Sequence, residues 1–314
     1  MIKNKFGFSL VELMVAVAIL ALLSLIVVNV MTQSQAQDKA DLLKIKIFAG
    51  TIKNKLARNL VGDWSFFEGT GSSISDGSDY KNNFSSLNGA DWVTGDNCIE
   101  DNCLSFNGTN TDYLEKSAPE GMPLGQTART IEAWIYPTNV NPGGVIVSLS
   151  DSTGTNDAFI FMVYYSSFYA TTFLFTDINN ASNNLSITGT EIPLVNQWNH
   201  VALLFDGASG YQYYLNGVLK KSGSFTTTIN TYNNGSDLAN LRLSIGRTAD
   251  PAYEAISYWP GKIDEVRIYN SAVVLSEIKN RYLAGLEKLL SKKEITQEDY
   301  NQRIGELEKS MASK

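Results

Sequence analysis

The sequence predicts an α+β protein: a long N-terminal helix, then an all-β antiparallel sandwich, then a short C-terminal helical hairpin. Three observations carry this. An apolar run over residues 8–31 merges into a polar stretch that keeps helical spacing. From Leu60 onward the chain is built of short period-two runs separated by Gly, Asn, Asp and Ser. After about residue 271 the apolar spacing returns to every third or fourth position. The implied segments are a leader at 1–7, a helix at 8–59, a sandwich at 60–271 and a helical hairpin at 272–314.

The 314 residues are 44% hydrophobic, enough for a packed core in one large or two modest domains. The net charge is −7, and −9 without Lys3 and Lys5 of the leader. Nucleic-acid affinity comes largely from clustered Lys and Arg, so an acidic body makes nucleic acid a poor partner.

The N-terminus begins Met1-Ile2-Lys3-Asn4-Lys5-Phe6-Gly7 and continues Phe8-Ser9-Leu10-Val11-Glu12 into the apolar run. A secretory signal peptide would end its apolar core at a small-residue cleavage site, and this run continues towards Met31 instead. An uncleaved signal anchor is the plain alternative. It leaves the basic leader ending in Gly7, and the lone carboxylate of Glu12, without explanation.

These residues resemble the class III leader of type IV prepilins and pseudopilins. The resemblance implies cleavage after Gly7 by a prepilin peptidase, methylation of the new amine on Phe8, and assembly with other pilin subunits through the N-terminal helix. In that family the glutamate of one subunit faces the N-terminal amine of its neighbour, which pairs Glu12 with Phe8. An intramembrane carboxylate costs ~2.5–3.5 kcal/mol at a helix centre and so calls for a partner. Residues 8–31 suffice to cross a ~30 Å hydrocarbon core. Lys3 and Lys5 hold the leader in the cytoplasm, so the expectation is a single-pass cytoplasmic-membrane precursor with an extracytoplasmic body.

The helix is expected to continue beyond the membrane. Ala36, Ala40, Leu43, Ile47, Ile52 and Leu56 recur at spacings of three to five, with no Pro and only Gly50, giving a stem of roughly 78 Å to near Asn59. Many pilins kink at a proline near the end of the membrane portion. Here the region reads Val27-Val28-Asn29-Val30, so any break is expected at Asn29 or Gly50.

Strand-like runs follow at Asp63–Phe67, Cys103–Phe106, Thr130–Tyr136, Val145–Leu149, Phe159–Tyr164, Thr172–Phe175 and Trp198–Phe205. Tyr211–Leu215 and Val218–Lys221 flank Asn216-Gly217, the pair a type I′ hairpin turn requires. About a dozen antiparallel strands are expected. The phrases Leu60–Gly71, Leu104–Gly108 with Asp112–Leu114, Thr130–Pro137, Gln197–Asp206, Tyr214–Gly217 and Gly261–Asn270 resemble, in order, the laminin-G-like, concanavalin A-like jelly roll of bacterial surface proteins.

That resemblance raises three chemical possibilities. Related glycosidases alternate carboxylates along one strand, and a retaining mechanism needs two ~5–5.5 Å apart. Around Asp264 the like-facing positions are Lys262 and Val266, so no catalytic residue is assigned and the protein is not expected to be an enzyme. Relatives often hold a structural Ca2+ between a loop near the first strand and the closing strand, which maps here to Glu68, Asp76 and Asp264. The family's first-strand aspartate is Phe67 in this chain, which removes one expected ligand. Sugar-stacking aromatics are expected at Tyr258 and Trp259, in a loop before the last strand.

His200, among Val201, Leu203 and Phe205 with no nucleophile motif, reads as a structural histidine rather than a general base. Cys98 and Cys103 read as a small-loop disulfide in an extracytoplasmic protein, two free thiols being the alternative. At the C-terminus Ser276 is expected to cap a helix carrying Ile278, Tyr282, Leu286 and Leu290, and Thr296 with Asp299 resembles a capping box for a second. The hairpin either serves oligomerisation or packs on the sandwich. Two functions stay open: a type IV pilus subunit whose jelly roll binds a surface glycan or protein, or a pseudopilin that recognises cargo for a secretion or uptake machine.

Overall fold

The computed structural model describes residues 58–312 other than 110, 154–157, 168–170, 178–182, 230, 233–237 and 252–257. The leader and stem helix, with Gly7, Phe8 and Glu12, lie outside the described residues apart from the turn at 58 and 59. Among the described residues, no helix is long and apolar enough to cross a membrane. A compact unit begins at Asn59.

That unit is an antiparallel two-sheet sandwich. Its strands in chain order are β1 (Leu60–Trp64), β2 (Asp91–Thr94), β3 (Asn102–Asn107), β4 (Leu114–Ser117), β5 (Arg129–Pro137), β6 (Gly143–Asp151) and β7 (Phe159–Ser166). They continue with β8 (Thr171–Asp177), β9 (Leu185–Ile187), β10 (Asn199–Phe205), β11 (Gly210–Leu215), β12 (Val218–Ser224), β13 (Leu241–Ile245) and β14 (Pro260–Tyr269). The larger sheet runs β12-β11-β10-β5-β14-β3-β2, with β1 also on β14, and the smaller runs β4-β13-β6-β7-β8-β9. Sequence neighbours such as β10–β11–β12 pair directly. The centre of the larger sheet joins β5 to β14, more than a hundred residues away, as a jelly roll requires.

Alternation sends Ile131, Ala133 and Ile135 of β5, Val201, Leu203 and Phe205 of β10, and Ile263, Val266 and Ile268 of β14 into the core between the sheets. Each of the Ile, Val, Leu and Phe side chains stabilises by ~1.5–3 kcal/mol on burial. The closing strand keeps this alternation only by a bulge. Its register shifts between Asp264 and Arg267, and Glu265 takes φ 52°. The bulge divides β14 into a first half paired with β3 and a second half paired with β1.

The expected strand at Asp63–Phe67 instead lies at Leu60–Trp64, because Phe66 has φ 53° and turns the chain; Trp64 and Phe66 are both buried nonetheless. Strands β2, β4, β9 and β13 lie outside the runs expected from the sequence, being short or lacking a clean alternation. The Asn216-Gly217 turn forms as expected, with φ 54° and 72°. Asn216 accepts the His200 N–H on its Oδ1 at 2.9 Å and donates its own N–H to the His200 carbonyl at 2.8 Å.

Two helices end the chain: α1 (Leu275–Ser291) and α2 (Gln297–Ala312). Ser276 is not the cap of α1; the cap is Val274, two residues earlier, and it makes no side-chain hydrogen bond. The second box does form. Thr296 accepts the Asp299 N–H on Oγ1 at 3.1 Å, and Asp299 Oδ2 accepts the Thr296 hydroxyl at 2.9 Å. The hairpin packs on the outer face of the larger sheet, where Tyr282, Leu286, Leu289 and Leu307 meet Trp134, Trp198 and the Cys98–Cys103 pair. Trp134 and Tyr282 stack with centroids 5.7 Å apart.

Candidate functional site

Cys98 and Cys103 form a disulfide, with Cα atoms 5.5 Å apart. The loop they close is a socket for the C-terminal helices. Lys292 of the α1 C-terminus donates to the carbonyls of Cys98 and Glu100, and Lys288 pairs with the Glu100 carboxylate. On the sheet side Asp264 Oδ2 accepts the Ile99 N–H at 2.9 Å and the Glu100 N–H at 3.2 Å, and Oδ1 accepts the Glu265 N–H at 2.8 Å. Burial, and then the charge of Glu265, push the Asp264 carboxyl well above the usual range, against the pull of these backbone donors.

The other expected calcium ligands are likewise engaged in backbone hydrogen bonds. Asp76 Oδ1 accepts the N–H groups of Asp63 and Ser78, and Oδ2 accepts the Ser78 hydroxyl and the Asn82 N–H, all at 2.7–2.8 Å. Each oxygen thus uses both lone pairs, whereas an ion needs oxygens with electron pairs to spare. Glu68 Oε1 accepts the Ser75 N–H at 2.6 Å. Its Oε2 has no hydrogen-bond partner, and among the described residues no three His, Cys, Asp or Glu side chains lie together.

Trp259 is a correction to the sequence reading. It is 0% exposed and belongs to the core between the sheets, so its ring offers no face to a sugar. β14 begins at Pro260, one residue before the expected Gly261, and the Trp259 backbone N–H donates to the Gly246 carbonyl at 2.9 Å. Tyr258, its neighbour, is half-buried.

His200 sits beneath α1 in a polar cluster sealed within the outer face of the larger sheet. Its Nε2 lies 3.7 Å from Glu132 Oε2, and its ring lies against Trp134 at 5.2 Å. Burial, with Arg281 and Arg267 nearby, lowers its pKa to about 3, so the imidazole is neutral. Arg281 Nη1 reaches Glu132 Oε1 at 2.8 Å, and Arg267 pairs with Asp63 at 2.9 Å and with Glu265. These charges tie β1, β5, β14 and α1 together.

An opening lies elsewhere, where the helical hairpin meets the β11–β12 hairpin and the loop before β10. It is a groove of about 740 Å³, within the range that binding sites occupy. Ile192, Leu215, Leu219 and Leu275 line it, with Lys220, Lys279 and Lys309 against the single carboxylate of Glu306. Leu194 at its mouth is 64% exposed. Four separate segments build this groove, so no local pattern in the sequence could have revealed it.

The antiparallel two-sheet sandwich is a lectin-like fold. Residues 107–279, more than half the chain, match the concanavalin A-like lectin/glucanases superfamily, and the protein belongs to that superfamily. Residues 2–28 match the prokaryotic N-terminal methylation motif, so the leader is of the prepilin type. No curated protein matches the chain. Among solved structures it is similar to domain 4 of AbnA, an extracellular arabinanase from Geobacillus stearothermophilus, in complex with arabinotriose. There the identity is 16%, the coverage 71% of this chain and 97% of that one, and the TM-score 0.46. It is also similar to the binding domain of Paraclostridial Mosquitocidal Protein 1, at 16% identity, 74% and 53% coverage and TM-score 0.48; the chain thus spans about half of that structure. A third is the heptameric SAP-like pentraxin of Limulus polyphemus, at 21% identity, 58% and 81% coverage and TM-score 0.42.

Proposed function

We propose that this protein is a type IV pilin-like filament subunit that carries the sandwich outward as a binding domain for a surface glycan or protein. The observation that carries this reading is the union, in one chain, of the methylation motif at 2–28 and a lectin-like sandwich. The prepilin peptidase cuts after Gly7, the Phe8 amine is methylated, and Glu12 meets the Phe8 amine of a neighbour as the helices enter a low-dielectric bundle. There the attraction is strengthened, and loss of one partner leaves the other charge uncompensated. The sandwich contributes no chemistry in this reading. Its histidine is buried, and the two carboxylates of the closing strand are engaged within the fold, Asp264 by backbone N–H groups and Glu265 by Arg267.

The test compares the protein in sheared surface filaments with that in membranes, for wild type and Glu12→Ala. The variant is expected to be cleaved after Gly7 and to accumulate in membranes while joining filaments poorly. An unchanged ratio refutes the pairing. Absence of the wild type from every filament fraction transfers the reading to a pseudopilin of a secretion or uptake machine.

A further inference from the structure

We infer that the free edge of β12 and the groove beside it bind an extended acidic segment of a partner polypeptide by strand addition. The inference rests on the sandwich being a binding domain and names the class of partner.

The first observation is the edge. β12 ends the larger sheet, its inner side is bonded to β11, and among the described residues its outer backbone groups have no partner. Unpaired N–H and C=O groups in a row are a template for another strand, and main-chain bonds then supply affinity whatever the guest's side chains. Proteins commonly shield such edges with lysine. Here Lys221 is spent within the fold, donating to the Ser186 carbonyl at 2.6 Å and lying 3.9 Å from Glu191.

The second observation is the groove that opens at the Val218–Lys220 end of this strand. Its apolar floor accepts alternate side chains of an added strand, the period-two pattern of any β guest. Three lysines against one glutamate make it basic on a molecule of net charge −7. That local inversion attracts carboxylates and disfavours a basic guest. No aromatic ring lines the groove, which removes sugar stacking as its use.

The experiment uses the full chain in lipid nanodiscs and a fluorescein-labelled, end-blocked octapeptide alternating Glu and Val, read by fluorescence anisotropy. Saturable binding that weakens with salt is expected, with about tenfold weaker binding for the Lys/Val counterpart and for a Glu/Val peptide N-methylated at alternate backbone nitrogens. Lys220→Glu with Lys309→Glu is expected to weaken the Glu/Val peptide about tenfold at unchanged circular dichroism. Lys309→Ala, on an exposed position of α2, gives a smaller loss in the same direction if the double variant does not fold. Equal binding of the three peptides, displacement by laurate without sensitivity to N-methylation, or no binding at all overturns the inference. Peptide binding and filament fractionation are read separately, so failure of one leaves the other standing.

Discussion

Replacing Arg281 by Met tests whether the sealed charges bind the helical hairpin to the sandwich. Arg281 Nη1 touches Glu132 Oε1 at 2.8 Å, and Glu132 is only 1% exposed. The carboxylate's other neighbours do not replace that charge. Tyr269 donates its hydroxyl at 3.2 Å, and His200 at 3.7 Å is neutral. Arg267 is held by Asp63 and Glu265. Arg281→Met therefore strands a buried charge, a loss of about 3–5 kcal/mol. In a urea titration of residues 59–314 this lowers the midpoint by on the order of 1 M. Adding Glu132→Leu removes the stranded charge and is expected to recover most of the loss, since a well-packed apolar pair replaces a buried ion pair at little cost. A single-variant loss below about 1 kcal/mol, or a double variant no more stable than the single, refutes the reasoning.

Three further outcomes are expected from the same packing. His200 is unprotonated in the fold down to about pH 3 and protonates below 6.5 when unfolded, so its contribution is complete above pH 6.5 and lost as pH falls towards 3. Wild type is expected to lose about 2 kcal/mol more than His200→Phe between pH 7 and 5, and equal losses by urea titration contradict this. A Cβ on Gly285 of α1 would lie 2.4 Å from Trp134 Cζ2, so Gly285→Ala should destabilise by ~1–3 kcal/mol despite alanine's better helix propensity; a raised melting temperature counts against it. Because Asp76 and Asp264 hold backbone N–H groups, neither chelator nor added Ca2+ should move the melting temperature, whereas a bound ion at a hundredfold excess over Kd would add about 2.7 kcal/mol.

The long central strands were legible because β5, β10 and β14 carry strong period-two alternation, and the Asn216-Gly217 turn because few other pairs accept positive φ at both positions. Ser276 misled as a cap because Ser is favoured both at the cap and in the turn after it. Trp259 misled because a residue's distance from the nearest strand says nothing of which layer will cover it. The groove was illegible, as it belongs to no segment.

The sequence by itself determined the prepilin leader, the antiparallel sandwich, the two-helix end and the pairing of two nearby cysteines, since each depends on residues close in the chain. Tertiary structure alone decided what those parts do to one another. It turned the disulfide loop into a socket for α1, set Asp264 on backbone amides, sealed Glu132 with Arg281, and left β12 as a free edge beside a basic groove. The reason is physical: local pattern governs backbone conformation, while burial and charge pairing depend on which distant segments share a volume, and long-range pairing across more than a hundred residues is settled only when the core packs.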